Sequence, residues 1–400
     1  MLVTQMLYVK DPLNSYFFTP DSRTYYSRFV QLANFSKYTG PTAFDLGSSS
    51  FLYKGVGIYY LGWFLGRMSV LITGNHSITI HLIVVVWCAS MINAIIYQTL
   101  LLYFKKTIAL SSTLFYAIFS YSLIFSATLL RDMHVAFFLA LGCYVLHKQL
   151  SRRTVFQMII IIIFIFLFRP SHALFFLSLI IYRILNNYKV NKVIYLLFFI
   201  FVGILFFGLT IVGNHFGYLN QFLDWSESYQ EFHVATAQQS DGGANFVYSL
   251  IPRSLYPFAR ILQSQINPFS LFWIYKVPEN MANGEFPRFQ LLTYAYSIAN
   301  LFWFVVIGFF FMGIVIRKYR SKIPKRIFEG AVGSIFLLIL AGYSSNDVRR
   351  LLGVYPSMFV CSVYVYNALL AERNRKNIIK ILIIVYISIA VTYAVVKIFI

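Results

Sequence analysis

Acidic residues are scarce in this chain: 13 Asp and Glu stand against 33 Lys and Arg in 400 residues, for a net charge of +20. Charged residues of both signs make up only 12%, about half of what a soluble globular chain carries, which excludes an ordinary water-soluble domain. Cysteine is nearly absent. Cys88, Cys143 and Cys361 all lie in apolar runs, so they read as inert packing groups and no disulfide framework is expected. Residues 1–20 lack the apolar core of a cleavable signal peptide. There is no P-loop, no Gly-x-Ser-x-Gly and no dinucleotide fingerprint. The 7 histidines show no zinc-site spacing. These absences argue against a nucleotide-fed mechanism in the cytoplasm.

What the chain has instead is apolar length. Hydrophobic residues make up 59% and aromatic ones 19%, and uncharged runs such as 155–168 and 193–212 alternate with short charged loops. A span needs about 20 mostly apolar residues. The sequence predicts spans near 77–104, 107–127, 133–147, 154–168, 171–186, 193–213, 290–316, 328–344, 351–370 and 378–399. Residues 55–73 are apolar but interrupted by Gly55, Gly57, Gly62, Gly66 and Arg67. They read as an amphipathic helix in the membrane interface, with an eleventh span as the alternative. The expected fold is an all-α integral membrane protein: one polytopic domain of about 10–11 transmembrane helices, with short amphipathic helices in its outer loops.

The loops after residues 104, 147, 186, 316 and 370 gather Lys and Arg, and their only acids are Glu329 and Glu372. Basic loops are cytoplasmic. That puts the other acids, the N-terminal segment 1–54 and the long loop 214–289 on the outer face. It also accounts for the net charge without nucleic acid, which would need a basic patch on a folded surface.

Charges beside a bilayer are expensive and are usually retained for a task, so the outer turns are where chemistry is expected. Arg131-Asp132-Met133-His134 stands where two spans meet. Asp132 suits a base toward a hydroxyl, with His134 beside it, and Arg131 suits a phosphate; the plainer reading is a helix-end pair that fixes register. Arg169-Pro170-Ser171-His172 closes a charge-free run and turns the chain straight back, placing a cation for a pyrophosphate or an acidic sugar, or merely an interfacial anchor. Asn346-Asp347-Val348-Arg349-Arg350 offers paired arginines for the two phosphates of one diphosphate, unless Asp347 simply neutralises one of them. Asp21 opens Asp21-Ser22-Arg23-Thr24-Tyr25, a pattern common on surfaces and notable here for its company. The long loop adds Arg253, Arg260 and Arg288 with Glu231 and Trp225, cations and an aromatic platform suited to sugars or lipid headgroups.

The order of these motifs resembles that of the C-superfamily membrane glycosyltransferases, which use polyprenyl-phosphate donors. An outer Asp-x-x-x-Tyr stretch (Asp21 to Tyr25) precedes a Gly-rich aromatic segment from Tyr53 to Trp63, two spans, Leu130-Arg131-Asp132-Met133, and two short spans meeting at Arg169-Pro170. In detail the chain looks closer to the bacterial oligosaccharide repeat-unit polymerases of O-antigen and capsule assembly, the Wzy type. The Arg-Pro turn, the stretch from Ile251-Pro252-Arg253 to Pro268-Phe269 and the Arg349-Arg350 turn carry that comparison. The resemblance implies that undecaprenyl-diphosphate-linked oligosaccharides are joined on the outer face of a bacterial cytoplasmic membrane. Asp21 and Asp132 would be the outer acidic residues, and Arg131, Arg169, Arg349 and Arg350 would hold the diphosphate leaving group. Expected partners are the lipid-linked glycans, membrane lipids and a chain-length regulator protein. No cofactor is required by it; a divalent metal bridging Asp21 or Asp132 to the phosphates is compatible, although no spacing demands it. The family pattern carries a span ahead of the Asp-x-x-x-Tyr segment, and residues 1–20 depart from it. Two other classes stay open: a transferase of single sugars from a polyprenyl-monophosphate donor, and a flippase for the lipid-linked unit. Charge-free span centres argue against transport, because transporters place ionisable groups near the midplane.

The face assignment predicts that a membrane-impermeant thiol reagent labels cysteines placed at positions 132, 169 and 349 in intact cells. A cysteine at position 318 is expected to react only after permeabilisation. Labelling of the first three solely from the cell interior reverses the topology.

Overall fold

The structure is a computed structural model that describes residues 20–35, 55–149, 151–185, 286–344, 351–370 and 375–399. The expected span 193–213 lies outside the described residues, as do Trp225, Glu231, Arg253, Arg260, Arg349 and Arg350. Among the described residues every regular element is a helix. In chain order these are α1 (Pro20–Phe35), α2 (Gly57–Thr73), α3 (Ile78–Leu101), α4 (Lys106–Phe119), α5 (Tyr121–Phe125), α6 (Arg131–Leu146), α7 (Arg152–Phe168), α8 (Pro170–Leu185), α9 (Phe286–Val315), α10 (Arg317–Arg320), α11 (Lys325–Ser344), α12 (Tyr355–Leu370) and α13 (Arg375–Phe399). Helix α3 and the Ser297–Val315 part of α9 are long and apolar enough to cross a membrane, and α4 is a shorter apolar helix.

Local chemistry sets most of these boundaries. Gly74 ends α2 in the left-handed region at φ 75, its N–H donating to the Val70 carbonyl, a conformation that suits glycine. Ser77 then caps α3 by accepting from Thr79 N–H at 3.3 Å, and Ser151 caps α7 by accepting from Thr154 N–H at 3.2 Å. Pro170 accounts for the sharp α7–α8 turn. Its ring drives the preceding residue out of the helical region, and Arg169 is extended at φ −159, ψ 93, while proline itself suits the first position of a new helix.

Two expected spans are corrected. The run 107–127 is not one helix: Ser120 is extended at φ −85, ψ 159, ending α4 and capping α5. The apolar run concealed this because the serine hydroxyl accepts from Ser122 N–H at 3.2 Å and offers the backbone an alternative to continuing. The run 351–370 becomes helical only at Tyr355, after a buried turn closed by Val354 N–H on the Leu351 carbonyl at 2.9 Å.

Helices α3 and α6 run side by side in one direction. Trp87 meets Phe137 with ring centroids 5.3 Å apart, and further along Tyr103 meets His147 at 5.6 Å. Helix α8 lies between α6 and α11, and glycines bring it close to both. A Cβ at Gly142 would fall 2.3 Å from the Phe176 ring, and one at Gly333 would fall 2.2 Å from Leu179. The centre of the packing is aromatic: Trp303 of α9 stacks on Tyr355 at 3.8 Å, with Tyr121 and Tyr116 around them, all fully buried.

The element ends collect at two poles. At the first, α3 and α6 begin, α7 ends and α8 begins; at the second, α3, α6 and α8 end and α11 begins. Lys105, Lys148, Lys325 and Arg326 fall at the second pole, and Arg131, Asp132 and Arg169 at the first. Both ends of α2 sit at the first pole, because it starts against the end of α7 and hands over to α3. It runs across that pole, packing on α1 through Gly62 and Gly66.

Gly55 has φ +78, and a Cβ there would lie 2.1 Å from the Phe168 carbonyl oxygen. Gly55→Ala is therefore expected to destabilise by about 2 kcal/mol or more, adding an unfavourable φ to an overpacked contact. Thermal unfolding in detergent checks it, with Gly74→Ala, whose Cβ would meet nothing within 4 Å, isolating the φ contribution.

Candidate functional site

The first pole brings together three pieces of chain: the start of α6, the α7–α8 turn and the glycine-rich entry to α2. Asp132 occupies the first turn of α6, where the helix dipole favours a carboxylate, and Arg169 caps the end of α7, where it favours a cation. The two side chains form an ion pair through Arg169 Nη1 and Asp132 Oδ1, with only 12% and 9% of each exposed. Arg131 stands half-buried next to Asp132, and His172 is buried one turn into α8. The His134 ring stacks on Phe168 at 5.2 Å, 8° from parallel, which ties α6 to the end of α7 beneath the ion pair. Arg169 is also bound through its backbone: its N–H donates to the Ile165 carbonyl at 2.7 Å, and its carbonyl accepts from His172 N–H at 3.0 Å.

Helices α1 and α2 roof this pole. His81, in the first turns of α3, stacks on Phe29 at 5.1 Å and meets Tyr26 edge-on at 6.1 Å. The Tyr26 hydroxyl donates to the His76 carbonyl at 3.2 Å, and His76 Nε2 is hydrogen-bonded to Asn34 Oδ1 at 2.9 Å. Burial, and then the nearby Arg67 cation, lower the His76 pKa, so the ring is neutral at pH 7 and Nε2 carries the proton donated to Asn34. Burial raises the pKa of Tyr26, which keeps its hydroxyl a donor.

Of the residues predicted from sequence, the structure thus unites Arg131, Asp132, His134 and Arg169. The sequence offers Asp132 as a base and Arg131 as a phosphate ligand; the structure adds an ion pair between Asp132 and Arg169. Asp21 falls in the first turn of α1 and Arg288 in the first turn of α9, at positions whose side chains lie outside the description. Among the described residues there is no group of three or more His, Cys, Asp or Glu side chains able to hold a metal ion.

Sequence reasoning overlooked a second polar cluster at the other pole. Arg183 Nη1 donates to Glu329 Oε2 at 2.8 Å, with 9% and 8% of the side chains exposed. Nearby, the Tyr103 hydroxyl and His147 Nδ1 share a hydrogen bond of 2.7 Å, and Arg326 donates to the His147 carbonyl. The signal was available, since Glu329 is one of only two acids within the basic loops.

Comparison with known proteins yields no match: no protein family, no curated protein and no solved structure resembles this chain closely enough to identify it.

Because both members of the Asp132–Arg169 pair are largely desolvated, Asp132→Ala and Arg169→Ala are each expected to cost about 3 kcal/mol. The double substitution is expected to cost less than the sum, since neither charge is then stranded. Chemical denaturation of the four variants in detergent measures the coupling, and strict additivity removes the pair.

Proposed function

We infer that this protein is a polytopic membrane glycosyltransferase that polymerises lipid-diphosphate-linked oligosaccharides at the extracytoplasmic face. The observation that carries this reading is the Asp132–Arg169 pair, flanked by Arg131 and His134, at the pole opposite the basic loops. Membrane residence is supported by the two span-length helices and by exposed apolar side chains around the bundle, among them Trp87, Phe115, Phe156 and Ile384, which acyl chains would cover.

The chemistry follows from the residue types. An acceptor hydroxyl oxygen attacks C1 of the reducing-end sugar on the donor. The bond from C1 to the diphosphate oxygen breaks, and its electron pair leaves with the lipid diphosphate. Arg131 and Arg169 neutralise that growing charge from a preorganised, poorly solvated position, the arrangement in which electrostatic stabilisation is strongest. Arg169 turns part of its hydrogen bonding from Asp132 to the arriving phosphates, freeing a carboxylate oxygen to take the proton of the acceptor hydroxyl. His134 holds the start of α6 on Phe168 and so keeps the base in place.

Vesicles containing the purified protein and an undecaprenyl-diphosphate-linked oligosaccharide are expected to yield a ladder of repeats. A single sugar added from a polyprenyl-monophosphate donor points to the simpler transferase, and movement of the lipid across the bilayer without bond formation points to a flippase. Arg131→Ala and Arg169→Ala are expected to lower polymer formation roughly 100-fold, while Lys318→Ala leaves it near the parental level. Parental ladders in both arginine variants remove the assignment.

A further inference from the structure

We propose that the Arg183–Glu329 ion pair is a positioning device: it fixes the height of α8 along the bundle and thereby sets Arg169, at the opposite end, against Asp132. Arg169 is coupled to α8 as well as to α7: its carbonyl accepts the first amides of α8, from His172 at 3.0 Å and Ala173 at 3.4 Å, while its N–H donates to Ile165 of α7. Arg183 lies in the last turn of the same 16-residue helix, about 21 Å away along the axis. The rod is thus pinned by a buried ion pair at each end, to α6 above and to α11 below. Between the pins two apolar contacts are close, Phe176 on Gly142 and Leu179 on Gly333. Such contacts hold α8 against its neighbours, but they have no direction along the axis. The ion pair does. A slip of one residue, about 1.5 Å, carries Arg183 off Glu329 and Arg169 off Asp132 together.

The energetics favour position over stability as the reason for the pair. Replacing a buried ion pair with apolar groups is often neutral or stabilising, whereas removing one partner strands a charge. Among the described residues Arg183 Nε and Glu329 Oε1 have no hydrogen-bond partner; the side chains meet through the Arg183 Nη1–Glu329 Oε2 bond, with the Lys325 and Arg326 cations also acting on the carboxylate. The groups around them belong to the same pole: Arg326 is occupied by the His147 carbonyl and Tyr103 by the His147 ring.

The geometry is tested without reference to activity, and the link to catalysis rests on the proposed function. In a chain with Cys88, Cys143 and Cys361 changed to Ala, Ala173→Cys supplies a reporter one turn below Arg169; Ala173 is 2% exposed. Ala89→Cys in α3, where the alanine is 7% exposed, supplies a control. Arg183→Ala and Glu329→Gln are each expected to raise the rate at which an impermeant maleimide labels position 173 at least tenfold, with no change at position 89. The reversed pair, Arg183→Glu with Glu329→Arg, is expected to return labelling to within threefold of the parent, and polymer length is expected to follow the same order. Should the single variants fail to reach the membrane, Arg183→Lys carries the test, with an intermediate rise expected. Unchanged labelling at 173, an equal rise at 89, or no recovery in the reversed pair overturns the proposal. Labelling that responds as expected in a parent protein that makes no polymer overturns the proposed function and leaves the positioning role standing.

Discussion

Proline at position 170 is the constraint on which the first pole depends. It disfavours a helical conformation at Arg169, which is extended, and the resulting turn ends α7, starts α8 and brings the guanidinium to the first turn of α6. Asp132 sits at the helix end whose dipole it complements, and Arg169 complements the end of α7 while standing against the opposing dipole of the α8 start. The neighbours reinforce the arrangement: Gly55 presses on the Phe168 carbonyl from one side, and the His134 ring lies flat on the Phe168 side chain from another.

The charge pattern and the fold agree on one division. Residues that the sequence marks as basic loops, such as Lys148 and Arg326, gather at one pole with Tyr103, His147 and the Arg183–Glu329 pair. The other pole holds the Asp132–Arg169 pair beneath α1 and α2. Helix α8 is the element common to both, since it carries an arginine at either end. A helix shared in this way lets two polar clusters constrain each other through a rigid rod.

Much of this was legible from residues alone. The Arg169-Pro170 turn was marked in the sequence, and the predicted segments 133–147, 154–168 and 171–186 correspond to α6, α7 and α8 within two residues at each end. The site motifs Arg131-Asp132 and Arg169-Pro170 proved to be adjacent in space. What the sequence concealed was pairing and interruption. Nothing in spacing could say that Asp132 would meet Arg169, 37 residues away, because that depends on how α6 and α7 pack. The break at Ser120 lies inside an apolar stretch whose hydropathy is the same for one long helix or two short ones. The partnership of Arg183 and Glu329, 146 residues apart, is likewise a property of tertiary packing. It was foreshadowed only by the oddity of an acid in a basic loop.

The break at Ser120 has a consequence for how the bundle breathes. Helix α5 is one turn long, and the chain between it and α6 is held by short-range bonds: Ala127 N–H on the Ile124 carbonyl and Leu130 N–H on the Thr128 carbonyl. Such segments forgo the continuous amide ladder that protects an uninterrupted helix. Residues 120–130 should accordingly give up their amide protons to deuterium sooner than α3 or α9, although Tyr121, Leu129 and Leu130 are as deeply buried as any core residue. This seam runs directly into Arg131 and Asp132, so local opening there would reach the first pole without unfolding the helices on either side.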